Sequence, residues 1–214
     1  MSSEFLLYLR LGFEHISDLK GYDHIVFIVA LCAVYSIRQW RDLLWLVTAF
    51  TIGHSITLAL ATLDILTVDP DLIEFLIPVT ILMASSLDLY ESWLQNRKPS
   101  EPGQSTDRDN KGLFALVGWK PKYGLALFFG LIHGLGFSSY LRAVLGGEDS
   151  ILVPLFAFNI GLELGQIFIL LAVLGVSFAI VSLTRLSQRN WAVLLSVVTA
   201  GIAVSMLFSR YSNL

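Results

Sequence analysis

The sequence predicts an all-α protein, a polytopic bundle of membrane-spanning helices, and three observations support that fold class. Of the 214 residues, 55% are hydrophobic and only 14% are charged, and the mean hydropathy is +0.71. A soluble domain carries roughly 25% charged residues. Several apolar runs also reach the roughly 20 residues that a helix needs to cross a bilayer. We therefore expect a single membrane domain over residues 1–214, surrounded by lipid, and no nucleic-acid partner.

The first predicted element is an amphipathic helix over residues 1–20. Its leucines are mixed with charged side chains such as Arg10, Glu14 and Lys20. This composition is typical of a helix that lies at the membrane interface. The segment lacks the basic start and the small-residue cleavage site of a signal peptide.

Six apolar segments follow, and hydropathy assigns each of them as a membrane span. They cover approximately residues 22–37, 40–63, 71–94, 122–145, 151–183 and 191–208. The first is short, whereas the fifth exceeds the required length and should tilt or kink. Residues 95–119 are rich in Pro, Gly, Ser and charge, which predicts a flexible cytoplasmic loop. Residues 146–150 should form a tight loop.

The distribution of basic residues predicts the orientation of these spans. Ten of the 14 Lys and Arg residues fall on one side of the predicted membrane, and four fall on the other. Cytoplasmic loops carry an excess of Lys and Arg. We therefore expect a multi-pass protein of a bacterial-type inner (plasma) membrane, with both termini on the non-cytoplasmic side.

Eight polar residues lie in or beside these apolar segments, at outer to middle depth. Ionisable side chains are costly inside a membrane and usually mark a site or a pathway. Imidazole nitrogens and carboxylate oxygens are donors that suit Zn, Ni, Co or Fe(II). We therefore predict one shared metal site from the following residues: His15, Asp23, His24, His54, Glu74, His133, Asn159 and Glu163. Asp88 lies closer to the predicted cytoplasmic face, and its role is not assigned.

Within this set, the predicted ligands are His24, His54, His133 and Glu163. Asp23 is expected either to bind the metal or to orient a neighbouring ligand, and His15 to be an entry ligand or a plain surface histidine. Hydrogen-bonding support is expected from Asn159, Gln166, Glu74 and Ser55. Each residue also has an ordinary structural explanation: Asp23 as a helix cap, and an isolated histidine as a hydrogen bond between helices.

Five segments carry a resemblance to a known family. They are GFEHISDLKGYDHIVFIVAL, AFTIGHSITLAL, IEFLIPVTILMASSLDLYE, FFGLIHGLGFSSYL and FNIGLELGQ, and they cover most of residues 12–170. In this order they resemble the HupE/UreJ family of membrane proteins, which is generally described as nickel or cobalt permeases. The resemblance implies that the family's polar positions correspond to His15, Asp23, His24, His54, His133 and Glu163.

The sequence departs from the permease branch of that family in two places. In that branch, five residues separate the first histidine from the Asp–His pair (H-x5-DH), and a second histidine lies near the fourth span. Here, seven residues separate His15 from the Asp23–His24 pair, and the segment HGLGF contains one histidine. The sequence therefore resembles a second subgroup, to which nickel or cobalt transport is extended from relatives.

Three functions remain open at this point, and the third involves no transport of an ion. The leading hypothesis is a divalent transition-metal permease for nickel or cobalt. The alternative is an intramembrane zinc hydrolase that cleaves a lipid or a membrane peptide, with Glu163 or Glu74 as general base. The third is a sensing or scaffolding subunit. An oligomer or a partner membrane protein is compatible with each of them.

Overall fold

A computed structural model describes residues 3–97, 119–145 and 151–211, and these parts of the chain are almost entirely helical. A short 3₁₀ turn, Ile37–Gln39, precedes the third helix. Residues 98–118, which make up most of the loop predicted over 95–119, and the tight loop predicted over 146–150 lie outside the described residues. The helices are α1 Ser3–Ser17, α2 Asp23–Cys32, α3 Trp40–Thr62, α4 Pro70–Arg97, α5 Trp119–Gly136, α6 Ser138–Leu145, α7 Leu152–Leu183 and α8 Gln188–Tyr211.

Four of the six predicted spans are long and apolar enough to cross a membrane. They are α3 with its 3₁₀ turn, α7, α8 and the Pro70–Leu94 part of α4. The other two segments do not confirm the prediction of full spans. Their apolar helical parts are only 10 residues long in α2, Asp23–Cys32, and 14 residues long in the Tyr123–Gly136 part of α5. At 1.5 Å per residue these reach about 15 and 21 Å, less than the roughly 30 Å hydrocarbon core.

The interfacial position predicted for residues 1–20 is not confirmed, because α1 packs lengthwise against the first half of α7. A Cβ atom placed on Gly12 would meet the Phe158 carbonyl and the Leu162 amide, and one on Gly161 would meet the Leu9 carbonyl. A Cβ atom on Gly165 would meet Ile16, so the partner in α7 advances from Gly161 to Gly165 as α1 advances from Leu9 to Ile16, and the two helices run parallel. Only a residue without a side chain permits two helix backbones to approach so closely.

A second parallel pair, α3 and α5, repeats this arrangement. A Cβ atom on Gly53 would meet the Leu127 carbonyl, and one on Gly130 would meet the Phe50 carbonyl. Gly134 lies equally close to the carbonyl of His54. The two glycine-mediated pairs bring α1, α3, α5 and α7 together around the middle of the bundle.

Helices α4 and α8 form an antiparallel pair held by polar contacts. Arg210 pairs with Glu74 near the start of α4, and the Ser85 and Thr199 hydroxyls lie 2.7 Å apart at mid-length. At the far end, the Arg189 guanidinium donates to the Ser92 carbonyl at 3.3 Å.

Two interruptions in the helices lie at similar depth. Residues 18–22 separate α1 from α2, and Phe137 separates α5 from α6. Helix α2 continues toward the end of the bundle where α3 begins, because its C-terminal residues line a cavity with Leu46 of α3. The candidate site lies between these two interruptions.

Candidate metal centre

All four histidines of the chain meet in one buried cluster. The ring centroids of His15 and His24 are 4.7 Å apart, and those of His24 and His133 are 5.2 Å apart. His54 lies 5.9 Å from His15 and 6.2 Å from His24 by the same measure. Because the four side chains come from α1, α2, α3 and α5, they meet only when these helices pack together.

Three of these histidines have the spacing of a metal site. One potential ligand atom from each of His15, His24 and His54 lies within 4.8 Å of the other two. Ligand atoms bound to one ion at about 2.0–2.1 Å lie within roughly 4 Å of each other. Small side-chain adjustments are therefore enough to bring these three nitrogens onto one ion.

The nitrogens that face the cluster have no hydrogen-bond partner among the described residues. They are His15 Nε2, His24 Nε2, His133 Nδ1 and both ring nitrogens of His54. The side chains of His54 and His133 are also fully buried, at 0% and 1% exposure. Leaving a buried polar atom unsatisfied costs about 1–3 kcal/mol. Such a concentration of unsatisfied donors and acceptors points to a ligand that completes them.

Asp23 orients one of these rings. Its Oδ1 atom lies 3.0 Å from His24 Nδ1, and it also accepts the His24 backbone N–H at 2.9 Å. A proton on Nδ1 leaves Nε2 as the lone-pair donor, which is the tautomer that a metal requires. The predicted pairing of Asp23 with a neighbouring ligand therefore has the geometry of an orienting contact.

His133 lies at the edge of the cluster and is held from the other side. Its Nε2 atom lies 3.0 Å from the Thr80 hydroxyl on α4. The rings of Phe27 and Phe50 lie 5.0 and 5.2 Å from it and form an apolar floor. The wall next to His15 is Phe137, with ring centroids 3.8 Å apart.

Glu163 lies outside the three-histidine group and contacts hydroxyl groups of α3. Thr48 donates to its Oε1 at 2.7 Å, and Thr51 donates to its Oε2. Thr51 also lies 2.6 Å from Gln166 Oε1. Glu163 and Gln166 are three residues apart on one helix face, and both contact Thr51 of α3.

The other predicted supporting residues lie in different surroundings. Glu74 pairs with Arg210 at half exposure and is not brought to the cluster. The Ser55 hydroxyl donates to the Thr51 carbonyl of its own helix at 2.6 Å. The Asn159 Oδ1 atom is buried without a partner among the described residues.

Sequence reasoning missed four residues that shape the site, namely Thr48, Thr51, Thr80 and Phe137. A signal for the first two exists, because Thr48, Thr51 and His54 follow one another at intervals of three and share a helix face. Thr80 and Phe137 carry no such signal, since their roles come from contacts between helices that are distant in sequence.

The fold and the cluster together define a helical protein in which four of the described helices are long and apolar enough to span a membrane, with a buried cluster of histidines. A family model described as HupE / UreJ protein matches residues 1–211, and the chain belongs to the HupE/UreJ family. The curated proteins and the solved structures give no match to the chain.

Proposed function

We propose that the protein is a permease for a divalent transition-metal ion, with nickel and cobalt as the first candidates. The observation that carries this proposal is the convergence of His15, His24 and His54 within 4.8 Å. Imidazole nitrogen is a suitable ligand for Ni²⁺ and Co²⁺. Membership of the HupE/UreJ family, which is associated with these two metals, supports the same substrates.

The helix interruptions support transport over simple storage. In many secondary transporters, the ion site is formed where discontinuous helices meet near the middle of the membrane. Here His15 precedes and His24 follows the interruption at residues 18–22, and His133 lies four residues before the interruption at Phe137. The ion would therefore be bound at the two places where the helices are broken.

An entry route runs through the first interruption. Residues 18–22 are exposed and include Asp18, and Asp23, which follows them, has 15% of its side chain exposed. Carboxylates at the mouth of a site raise the local concentration of cations. With the orientation that the Lys and Arg residues predict, this mouth faces the outside, so the substrate is taken up.

His54→Ala is the direct test of the permease. The purified full-length protein is reconstituted in liposomes that contain a metal-sensitive dye, and Ni²⁺ or Co²⁺ is added outside. His54→Ala should lower metal affinity and uptake by at least about tenfold, since it removes a central ligand. Ser55→Ala is the control, because its hydroxyl only bonds its own helix. Uptake should also fall in acid, because protonated imidazole cannot bind a metal.

If His54→Ala leaves metal uptake unchanged, the histidine cluster does not lie on the transport path. Wild-type liposomes that hold metal at the cluster but pass none inward would contradict the permease itself.

A zinc-dependent intramembrane hydrolase is the second candidate, and one observation favours it. Phe27 and Phe50 close the cluster on the side opposite residues 18–22, and an enzyme needs only one mouth. The general bases expected for it are engaged elsewhere, Glu163 with two threonines and Glu74 with Arg210. Stoichiometric zinc that survives purification, together with lipid or peptide cleavage and no ion flux, would establish this alternative.

A further inference from the structure

A cavity lies beyond the histidine cluster, toward the end of the bundle where α3 begins. Its volume is about 30 Å³, enough for a water molecule or a small ion, and four helices and Tyr35 contribute to its walls. Among the described residues, Asp88 of α4 is the only charged residue that lines it, and the other lining side chains are alanine, leucine and aromatic residues. Asp88 is only 5% exposed. The polar set predicted from the sequence did not include this carboxylate.

The cavity is displaced from the cluster in the same direction and by a similar distance on two separate helices. On α2, Ala30 lines the cavity six residues after His24, and on α4, Asp88 lines it eight residues after Thr80, the partner of His133. At 1.5 Å per residue these separations are about 9 and 12 Å. Both displacements point toward the end of the bundle where α3 begins, which the Lys and Arg distribution assigns to the cytoplasm.

An aromatic septum, consisting of Phe27, Phe50 and Phe129, separates the two sites. Phe27 lies 5.0 Å from Phe50 and 5.7 Å from Phe129 between ring centroids. All three side chains are 1% exposed. Phe27 and Phe50 contact His133 above, whereas Phe129 lines the cavity below. The shortest path between the cluster and the cavity therefore crosses this septum.

A carboxylate at this depth indicates a cationic ligand. Ionisable groups within membrane segments are rare, and they commonly lie on ion pathways. Tyr35 also lines the cavity, and its phenol oxygen is a second candidate donor. Oxygen donors bind Ni²⁺ and Co²⁺ less tightly than imidazole does. A weaker second site suits release, because conduction requires sites that an ion can leave.

We propose that this cavity is a second binding station for the divalent cation, with Asp88 and Tyr35 as oxygen donors and the aromatic septum as the barrier between the stations. The inference rests on the proposed permease function and extends it to the exit side. The ion passes from the histidine cluster to Asp88 when the septum opens, and it then leaves toward the end where α3 begins.

The test counts bound ions and measures flux with the same variants. Equilibrium dialysis of the purified full-length protein against Co²⁺ should give two ions per chain for the wild type. Asp88→Asn should bind one ion and should lower Co²⁺ uptake into liposomes by at least about tenfold, as expected for loss of a ligand. Glu91→Gln is the matched control, since Glu91 is a buried carboxylate of the same helix, 2% exposed, that does not line the cavity. It should keep both ions.

The outcomes distinguish a failure of the second binding station from a failure of the proposed permease function. Two ions in Asp88→Asn, or the loss of one ion in Glu91→Gln as well, would overturn the station even if the wild type transports. If the wild-type protein binds a second ion that depends on Asp88 but transports no metal, the second binding station is supported and the permease function is wrong. If Asp88→Asn does not fold, the wild-type count decides, because one ion per chain contradicts a second station.

Discussion

At the scale of single residues, the site depends on how each imidazole is held. His24 is oriented by Asp23, His133 by Thr80 and His15 by the ring of Phe137. His54 has no hydrogen-bond partner on either ring nitrogen among the described residues. Packing alone therefore holds this fully buried ring, whose neighbours include His15, His24 and Phe50.

The orienting role of Asp23 leads to a specific prediction. Asp23→Asn removes the carboxylate that fixes the His24 tautomer, so the affinity for Co²⁺ should fall by about 10- to 100-fold. The measurement is a Co²⁺ titration followed by the visible absorption of the bound ion. Asp69→Asn is a matched control, because Asp69 is exposed and its carboxylate accepts the nearby Asp71 backbone N–H. Equal affinities in wild type and Asp23→Asn would show that Asp23 neither binds the ion nor orients a ligand.

At the scale of helices, glycine positions decide how the histidines meet. Gly12 of α1 and Gly53 of α3 occupy equivalent positions in the two parallel pairs. Each faces a partner helix with glycines four residues apart, at 161 and 165 in α7 and at 130 and 134 in α5. His15 lies three residues after Gly12, and His54 directly follows Gly53. The same close packing therefore carries a histidine into the site from each pair.

Part of this arrangement could be predicted from the sequence. The four-residue spacing of Gly130 and Gly134 is typical of a close-packing helix face, and hydropathy assigns the polar residues to similar depths. The partners of these glycines could not be predicted, because hydropathy gives the depth of a residue and not the neighbour of its helix. For the same reason, Glu163 was expected among the histidines, whereas its carboxylate contacts Thr48 and Thr51.

The packing of α3 against α5 gives a second prediction. Gly53→Ala places a methyl group against the Leu127 carbonyl oxygen, a rigid backbone atom. Overpacking of this kind costs about 1–3 kcal/mol, so the melting temperature in detergent should fall, and the displaced His54 should bind Co²⁺ less tightly. Gly201→Ala is the control, since a Cβ atom there has no neighbour within 4 Å. A Gly53→Ala protein with unchanged melting temperature and Co²⁺ affinity would contradict the close contact.

At the scale of the whole molecule, the sequence predicted the all-helical fold class, whereas the six predicted spans are not confirmed by the described residues. The helical membrane architecture is confirmed by four long apolar helices. The remaining two segments have the hydropathy of spans, but their helices end early at Cys32 and Gly136. Hydropathy averages over such interruptions, because the apolar residues continue while the backbone turns. The interruptions at residues 18–22 and at Phe137 are close to the histidines in the chain, so the least predictable part of the fold is also the part that forms the site.

The position of the cluster relative to the two faces gives the last prediction. His54 lies 14 residues after the start of α3 at Trp40 and eight before its end at Thr62, or about 21 and 12 Å along the helix. The cluster is therefore nearer the loop that holds Thr67, and uptake requires this loop to face outward. In a Cys32→Ser background, Thr67→Cys should react with a membrane-impermeant maleimide in intact cells, because Thr67 is exposed. Ser105→Cys, in the predicted cytoplasmic loop, should react only after permeabilisation. The reverse pattern would place the mouth of the site on the cytoplasmic side, and the permease would then export its ion.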